Sequence, residues 1–275
     1  MTVVPAVGLV RSGSLDEVLR SIDEDAVPYA GATELIPAMR LGVRRPESLV
    51  DLKRLPELQG VTVDEGARTV RIGAATTHRE VAESDAVKLH LPTLAGAASR
   101  VGNVRVRTSG TLGGNLCFAE PRSDLSVVLT ALGAHAEIAS AADATTNDSD
   151  HTERGGRVVT ISDFIVGAFE SCLTPKELLV AVTTPFEPAG MAYWKLQSYE
   201  RPTVGVATVP TIDGWLIVVG AATERPEHAT IQRGDVAALD EFLDGLDLSD
   251  DLSGSPQYKR LVLRNRLRPL IAGSR

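Results

Sequence analysis

The sequence predicts an α+β protein of two domains, and three observations carry that reading. Strand candidates fall in two groups parted near residues 165–175, which argues against one doubly wound sheet. The 275 residues suffice for one large domain or two ordinary ones. A hydrophobic content of 43% supports a buried core, and an aromatic content of 4% means Val, Leu, Ile and Ala must build it.

The elements follow in order. Ser14 is placed to N-cap a helix over 16–23, with Glu17 completing a capping box. A short strand at 27–30 enters the turn Gly31-Ala32-Thr33, and 34–41 reads as a short helix. Strands are expected at 48–51, 61–63 and 69–72, the last two joined by Asp64-Glu65-Gly66. Residues 77–83 and 94–101 read as helices, whereas 103–119 reads as short β-like pieces interrupted by Gly110, Gly113 and Gly114. Ser123 caps a helix reaching Leu132, and 134–139 is a strand. Residues 140–157 lack any apolar period and read as a solvated loop. Beyond it come strands at 157–160, 177–183, 191–196, 204–209 and 215–219, a short helix from Ile161, and helices at 236–243 and 256–271.

Composition narrows the function. A net charge of −8 without a Lys/Arg-rich run gives no footprint for nucleic acid. No apolar run approaches the roughly 18–20 residues that span a bilayer. Nor does a basic region precede the first apolar residues, so a secretory signal is not expected and a cytoplasmic location is. Two distant cysteines, Cys117 and Cys172, fall short of the four that an iron–sulfur cluster normally takes. The five histidines show no ligand spacing, and Ser162, Asp163 and Ser171 form no hydrolase pattern.

Two glycine-containing turns remain, Ala30-Gly31-Ala32-Thr33-Glu34 and Thr111-Leu112-Gly113-Gly114-Asn115. Glycine lets backbone approach an anion closely, so consecutive N–H groups can converge on a phosphate. Thr33, Thr111 and Asn115 would add side-chain donors. Ordinary turns use the same residues, and neither a G-x-G-x-x-G fingerprint nor a P-loop is present.

Read together, Tyr29-Ala30-Gly31-Ala32-Thr33-Glu34-Leu35, residues 72–77, residues 102–107, residues 111–115 and Pro121-Arg122-Ser123-Asp124-Leu125 resemble one family. It is the FAD-binding medium subunit of the molybdenum hydroxylases, the carbon monoxide and xanthine dehydrogenases among them. Residues 175–179, Trp194-Lys195-Leu196 and 258–271 resemble its C-terminal domain, so the likeness spans nearly the whole chain in order. The resemblance implies an FAD-binding domain of the vanillyl-alcohol-oxidase or PCMH type over 1–170, with subdomains of about 1–55 and 56–170. A C-terminal α+β flavoprotein domain over 171–275 would follow.

It also implies roles. Residues 30–35 would hold the FAD pyrophosphate, with Tyr29 beside them; Gly110, Thr111, Gly113, Gly114 and Asn115 would complete that site. Asp124 would accept from a ribose hydroxyl, Leu178 and Leu179 would line the adenine or flavin edge, and Lys195 would lie near the isoalloxazine. Tyr193, Trp194 and Tyr199 would stack on the flavin or form core. The family often has a second glycine where Ala32 stands, and commonly a small or neutral residue where Glu120 stands, so Glu120 is expected to face solvent. The partners implied are a large molybdenum-cofactor subunit and a small [2Fe–2S] subunit, as a heterotrimer or a dimer of heterotrimers. Electrons would run from the clusters to FAD and on to NAD, a quinone or oxygen. The cysteine-free 140–157 segment does not suit the extra [4Fe–4S] cluster of some relatives. The alternatives are a stand-alone FAD oxidoreductase and a flavin-free scaffold.

Overall fold

A computed structural model describes residues 6–141, 154–197 and 201–273. The N-terminal unit comprises β1 (Gly8–Arg11), α1 (Leu15–Ser21), β2 (Ala26–Tyr29), α2 (Leu35–Arg40) and β3 (Ser48–Asp51). Its strands make a parallel sheet in the order β1-β3-β2. Ser14 caps α1 by accepting from the Glu17 N–H, but the Glu17 carboxylate takes the Gly13 N–H, one residue before the expected box partner. Leu15, Val18 and Leu19 then pack against Val50, Leu52 and Leu55.

The second unit opens with β4 (Val61–Asp64), β5 (Thr69–Gly73), α3 (His78–Glu83), α4 (Asp85–His90) and α5 (Pro92–Ala98). It continues through α6 (Val104–Ser109), α7 (Leu112–Phe118), α8 (Asp124–Ala131), β6 (His135–Ala141) and β7 (Arg154–Thr160). It closes with α9 (Ile161–Phe164), the small pair β8 (Ile165–Gly167) and β9 (Glu170–Ser171), and β10 (Glu177–Pro185). An antiparallel sheet in the order β4-β5-β10-β6-β7 packs on these helices.

Two expectations change here. Residues 103–119 are helical, not β-like: Asn103 accepts from the N–H groups of Arg105 and Val106, and Thr111 accepts from Gly114, so two side-chain caps override the β preference of Val104 and Val106. Within α6 the Arg107 guanidinium donates to the carbonyls of Val101 and Gly102 at 3.0 Å each. Strand β10, expected with the second domain, is the middle strand of this sheet, with Leu178 and Leu179 in the core on its two faces. The expected solvated loop keeps strand at both ends, to Ala141 and from Arg154; its remainder lies outside the described residues.

The third unit is the antiparallel sheet β11 (Ala192–Leu196), β12 (Val204–Pro210), β13 (Gly214–Gly220) and β14 (Glu227–Gln232), with α10 (Val236–Gly245) and α11 (Pro256–Ala272). Its strands alternate with period two: Val204, Val206, Ile217 and Val219 pack with α10 and α11, while Ala207, Val209 and Val218 join the core around α8. At Gly220 a Cβ would sit 2.4 Å from Val127 on α8, so glycine permits this docking. The α+β expectation holds, and no helix among the described residues is long and apolar enough to cross a membrane.

Candidate functional site

A cleft of about 610 Å³ opens where the β2–α2 turn, α6, α7, the start of α8 and the end of β11 converge. All of Tyr29 to Leu35 line it, as do Gly110, Thr111, Gly114, Asn115, Asp124 and Lys195. The two turns touch: a Cβ on Gly31 would lie 2.1 Å from the Ser109 carbonyl oxygen and 2.7 Å from Gly110 Cα. Only glycine lets the backbones come so close. Ala32 adopts φ 54°, the left-handed conformation that glycine takes freely, which accounts for glycine being common there.

The first turn is a row of free donors. Among the described residues, the backbone N–H groups of Gly31, Ala32, Thr33, Glu34 and Leu35 have no acceptor, the first inward bond being Ile36 N–H to Ala32 O. Buried or half-buried N–H groups need partners, so such a row is suited to an anion. The second turn differs from expectation. The N–H groups of Leu112, Gly113, Gly114 and Asn115 bond to Thr76 O, Ala74 O, Thr111 Oγ1 and Thr111 O. It can offer side chains instead: Asn115 Oδ1 accepts from the Ser123 hydroxyl at 2.6 Å, leaving its Nδ2. Gly113 does not line the cleft; a Cβ there would sit 2.6 Å from that of Ala74, so it serves packing. Leu178 and Leu179, 4% and 2% exposed, are core residues rather than cleft lining.

Charges complete the site. Five cations, Arg44, Arg100, Arg122, Lys195 and Arg201, line the cleft against three carboxylates, Glu34, Glu120 and Asp124. In a chain of net charge −8 that surplus of two is local and specific. Glu120 is 7% exposed and not in solvent, because Arg201 reaches it at 2.8 Å and Arg122 at 3.1 Å. Arg201 also bonds Glu34 at 2.9 Å, tying the first turn to the residues after α7. Arg44 and Arg100 have no carboxylate partner among the described residues and can meet an anion. Replacing Arg201 with glutamine should cost about 1 kcal/mol, roughly 2–4 °C in Tm, since the pairs are partly exposed and Arg122 remains on Glu120. Thermal melts with and without Glu34→Gln check the coupling.

At the inner end Asp124 receives the Tyr193 hydroxyl at 2.5 Å and Lys195 Nζ at 2.6 Å. Burial first, and the Asp124 charge second, push the Tyr193 phenol upward, which keeps it a donor. Trp194 lies instead with the α10–α11 core beneath Arg266, and Tyr199 is outside the described residues. Burial, then Cys172, push the thiol of Cys117 on the cleft wall up to about 12, so it is no nucleophile.

His78 is a site residue the sequence did not single out. It lines the cleft, is 3% exposed, and its pKa falls to about 4, through burial first and the Arg107 charge second. The unfolded imidazole takes a proton near 6.5 while the folded one does not, so His78 lowers stability as pH falls from 6.5 toward 4. A loss of roughly 2–3 kcal/mol between pH 7 and 4.5 is expected from this residue. Urea unfolding of His78→Phe at the two pH values should show a correspondingly smaller loss.

A second hollow, of about 700 Å³, lies between β14 and α10; Glu224, Glu227, Glu241 and Asp247 in its wall suit an anionic ligand poorly.

The donor-lined cleft with its surplus of cations suits a binder of an anionic, phosphate-bearing ligand, on a fold that carries no Rossmann or P-loop motif. Residues 5–187 match the FAD binding domain in molybdopterin dehydrogenase, and the chain belongs to that family. It is similar to the nicotine 6-hydroxylase medium subunit of Paenarthrobacter nicotinovorans, 28% identical over 99% of this chain and 99% of the relative. The carbon monoxide dehydrogenase medium chain of Afipia carboxidovorans is 33% identical over 72% of this chain and 65% of its own length. Among solved structures, carbon monoxide dehydrogenase from Hydrogenophaga pseudoflava superposes with a TM-score of 0.83 at 25% identity, over 99% of this chain and 98% of the other. FAD is accordingly the cofactor, and the chain is an oxidoreductase subunit of the molybdenum hydroxylase family.

Proposed function

We propose that this chain is the electron-transferring flavin subunit of a cytoplasmic three-subunit molybdenum hydroxylase. One observation carries the cofactor assignment: the five consecutive N–H groups of Gly31 to Leu35 and the guanidiniums of Arg44 and Arg100, all on residues that line the cleft, have no partner among the described residues. They would hold the pyrophosphate, with Thr111 and Asn115 donating from the opposite wall. Each Asp124 oxygen keeps a second lone pair, which a ribose hydroxyl can use, while Asp124, itself bonded by the Tyr193 hydroxyl, holds Lys195 at the inner end. There Lys195 would favour negative charge on the isoalloxazine. Bound FAD supplies the redox chemistry; these residues bind it, orient it and set its electrostatic surroundings.

The chain divides, on this reading, after Pro185, where the β10 sheet ends and the third unit begins. A large molybdenum-cofactor subunit and a small [2Fe–2S] subunit would deliver the electrons, and an external acceptor would remove them. The medium-subunit names of the relatives support this arrangement. Isolation of the tagged chain from its native host tests it. Two partner bands, with iron–sulfur absorption overlying that of flavin, are expected. A single flavin-bearing band would instead support a stand-alone oxidoreductase.

A further inference from the structure

We propose that His78 donates a hydrogen bond through Nε2–H to a pyrophosphate oxygen of the dinucleotide, at the junction of the two turns. The proposal rests on the flavin reading above and adds a residue to it. His78 stands at the first position of α3, its N–H bonded to the Gly110 carbonyl at 2.9 Å. His78 is among the residues that line the cleft, although it is 3% exposed. Its Nδ1 is fully enclosed and has no hydrogen-bond partner among the described residues, so neither water nor a ligand reaches it. The ring therefore meets the cleft through its other edge. That edge lies under Gly110: a Cβ there would be 3.1 Å from Cδ2 and 3.2 Å from Nε2. Gly110 in turn is the residue against which Gly31 packs, below the free N–H row.

The tautomer follows from the same contacts. A neutral imidazole carries its proton on one nitrogen and a lone pair on the other. An enclosed N–H without an acceptor is rarer in proteins than an acceptor with an unused lone pair. The lone pair thus belongs on Nδ1 and the proton on Nε2. Burial and Arg107, which hold the ring neutral at pH 7, keep it from gaining a second proton. An orphaned buried nitrogen costs stability that an apolar side chain would not incur, and a donor aimed at the cofactor gives the imidazole a use that packing does not.

Binding of FAD and of ADP to the full-length apoprotein, followed by fluorescence and calorimetry, tests the proposal. ADP carries the pyrophosphate without the flavin. His78→Phe should weaken both ligands by roughly ten- to a hundredfold, the range for a hydrogen bond to a charged group. His78→Gln, whose amide nitrogen can stand in for Nε2, should stay within about threefold of the parent. Nitrogen-15 spectra of histidine-labelled protein, assigned against the variants, should show the proton on Nε2 and a change there on adding ADP. Parent-like affinity in His78→Phe, a proton on Nδ1, or an effect on FAD but not on ADP would each overturn the assignment. If the phenylalanine variant fails to fold, the glutamine variant and the spectra of the parent decide it. Absence of FAD binding by the parent would overturn the flavin reading and this proposal together.

Discussion

Gly31→Ala is expected to leave the folded chain without flavin. The added methyl would stand 2.1 Å from the Ser109 oxygen and 2.7 Å from Gly110 Cα, both backbone atoms that no rotamer can move aside. Either the two turns separate, dispersing the N–H row, or the turn itself changes conformation. Overpacking of this kind costs about 1–3 kcal/mol and sometimes more, and here it falls on the turn proposed to cradle the phosphates. A fall in FAD affinity of at least roughly a hundredfold is expected, since about 2.7 kcal/mol corresponds to two decades. The ratio of flavin to protein absorbance, beside a circular dichroism spectrum that reports folding, measures it. Ala32→Gly is the internal contrast. It relieves φ 54° at a residue with a Cβ, so flavin should stay and Tm should rise by roughly 2–4 °C per kcal/mol gained. Loss of flavin in Ala32→Gly with retention in Gly31→Ala would reverse the roles assigned to the two positions.

Asp124→Ala is expected to give the largest loss of stability among single changes in the cleft. The carboxylate is 6% exposed and its lysine partner 13%, so little solvent screens them. Removing one member of a buried pair costs about 3–5 kcal/mol because the other is left uncompensated, and here the Tyr193 hydroxyl loses its acceptor as well. A drop of roughly 10 °C in Tm follows for a chain of this size. Tyr193→Phe removes one hydrogen bond to a charged group and should cost less, about 1.5–3 kcal/mol. Lys195→Ala reports on function: FAD should remain bound, with a reduction potential shifted downward. An unchanged potential would remove Lys195 from the surroundings of the isoalloxazine.

Local chemistry made much of this architecture legible before the structure. The Ser14 and Ser123 caps, the strand entering Gly31, and the period-two strands of the third unit each declare themselves within a few residues. Residues 103–118 misled because Val-Arg-Val-Arg alternates like a strand, while the deciding hydrogen bonds come from the caps Asn103 and Thr111. Strand β14 escaped notice because Glu227-His228-Ala229-Thr230-Ile231 buries only Ile231 on a sheet edge. The turn at Gly31, proposed as the first phosphate cradle, was legible as a glycine turn. Its partners were not: Arg201 meets Glu34 across 167 positions and Lys195 meets Asp124 across 71, distances over which no spacing rule operates. His78 read as an isolated histidine because its surroundings, Gly110 and Arg107, arrive by tertiary folding. Leu178 and Leu179 lie on β10, and its place as the middle strand of the five-stranded sheet puts them in the core.

The most direct test of the central claim is the flavin content of the purified full-length chain, read from its visible spectrum and from chromatography of what denaturation releases. The account predicts one noncovalent FAD per chain, lost in Gly31→Ala and kept in Ala32→Gly. A parent chain that neither carries FAD nor takes it up when FAD is added would contradict it.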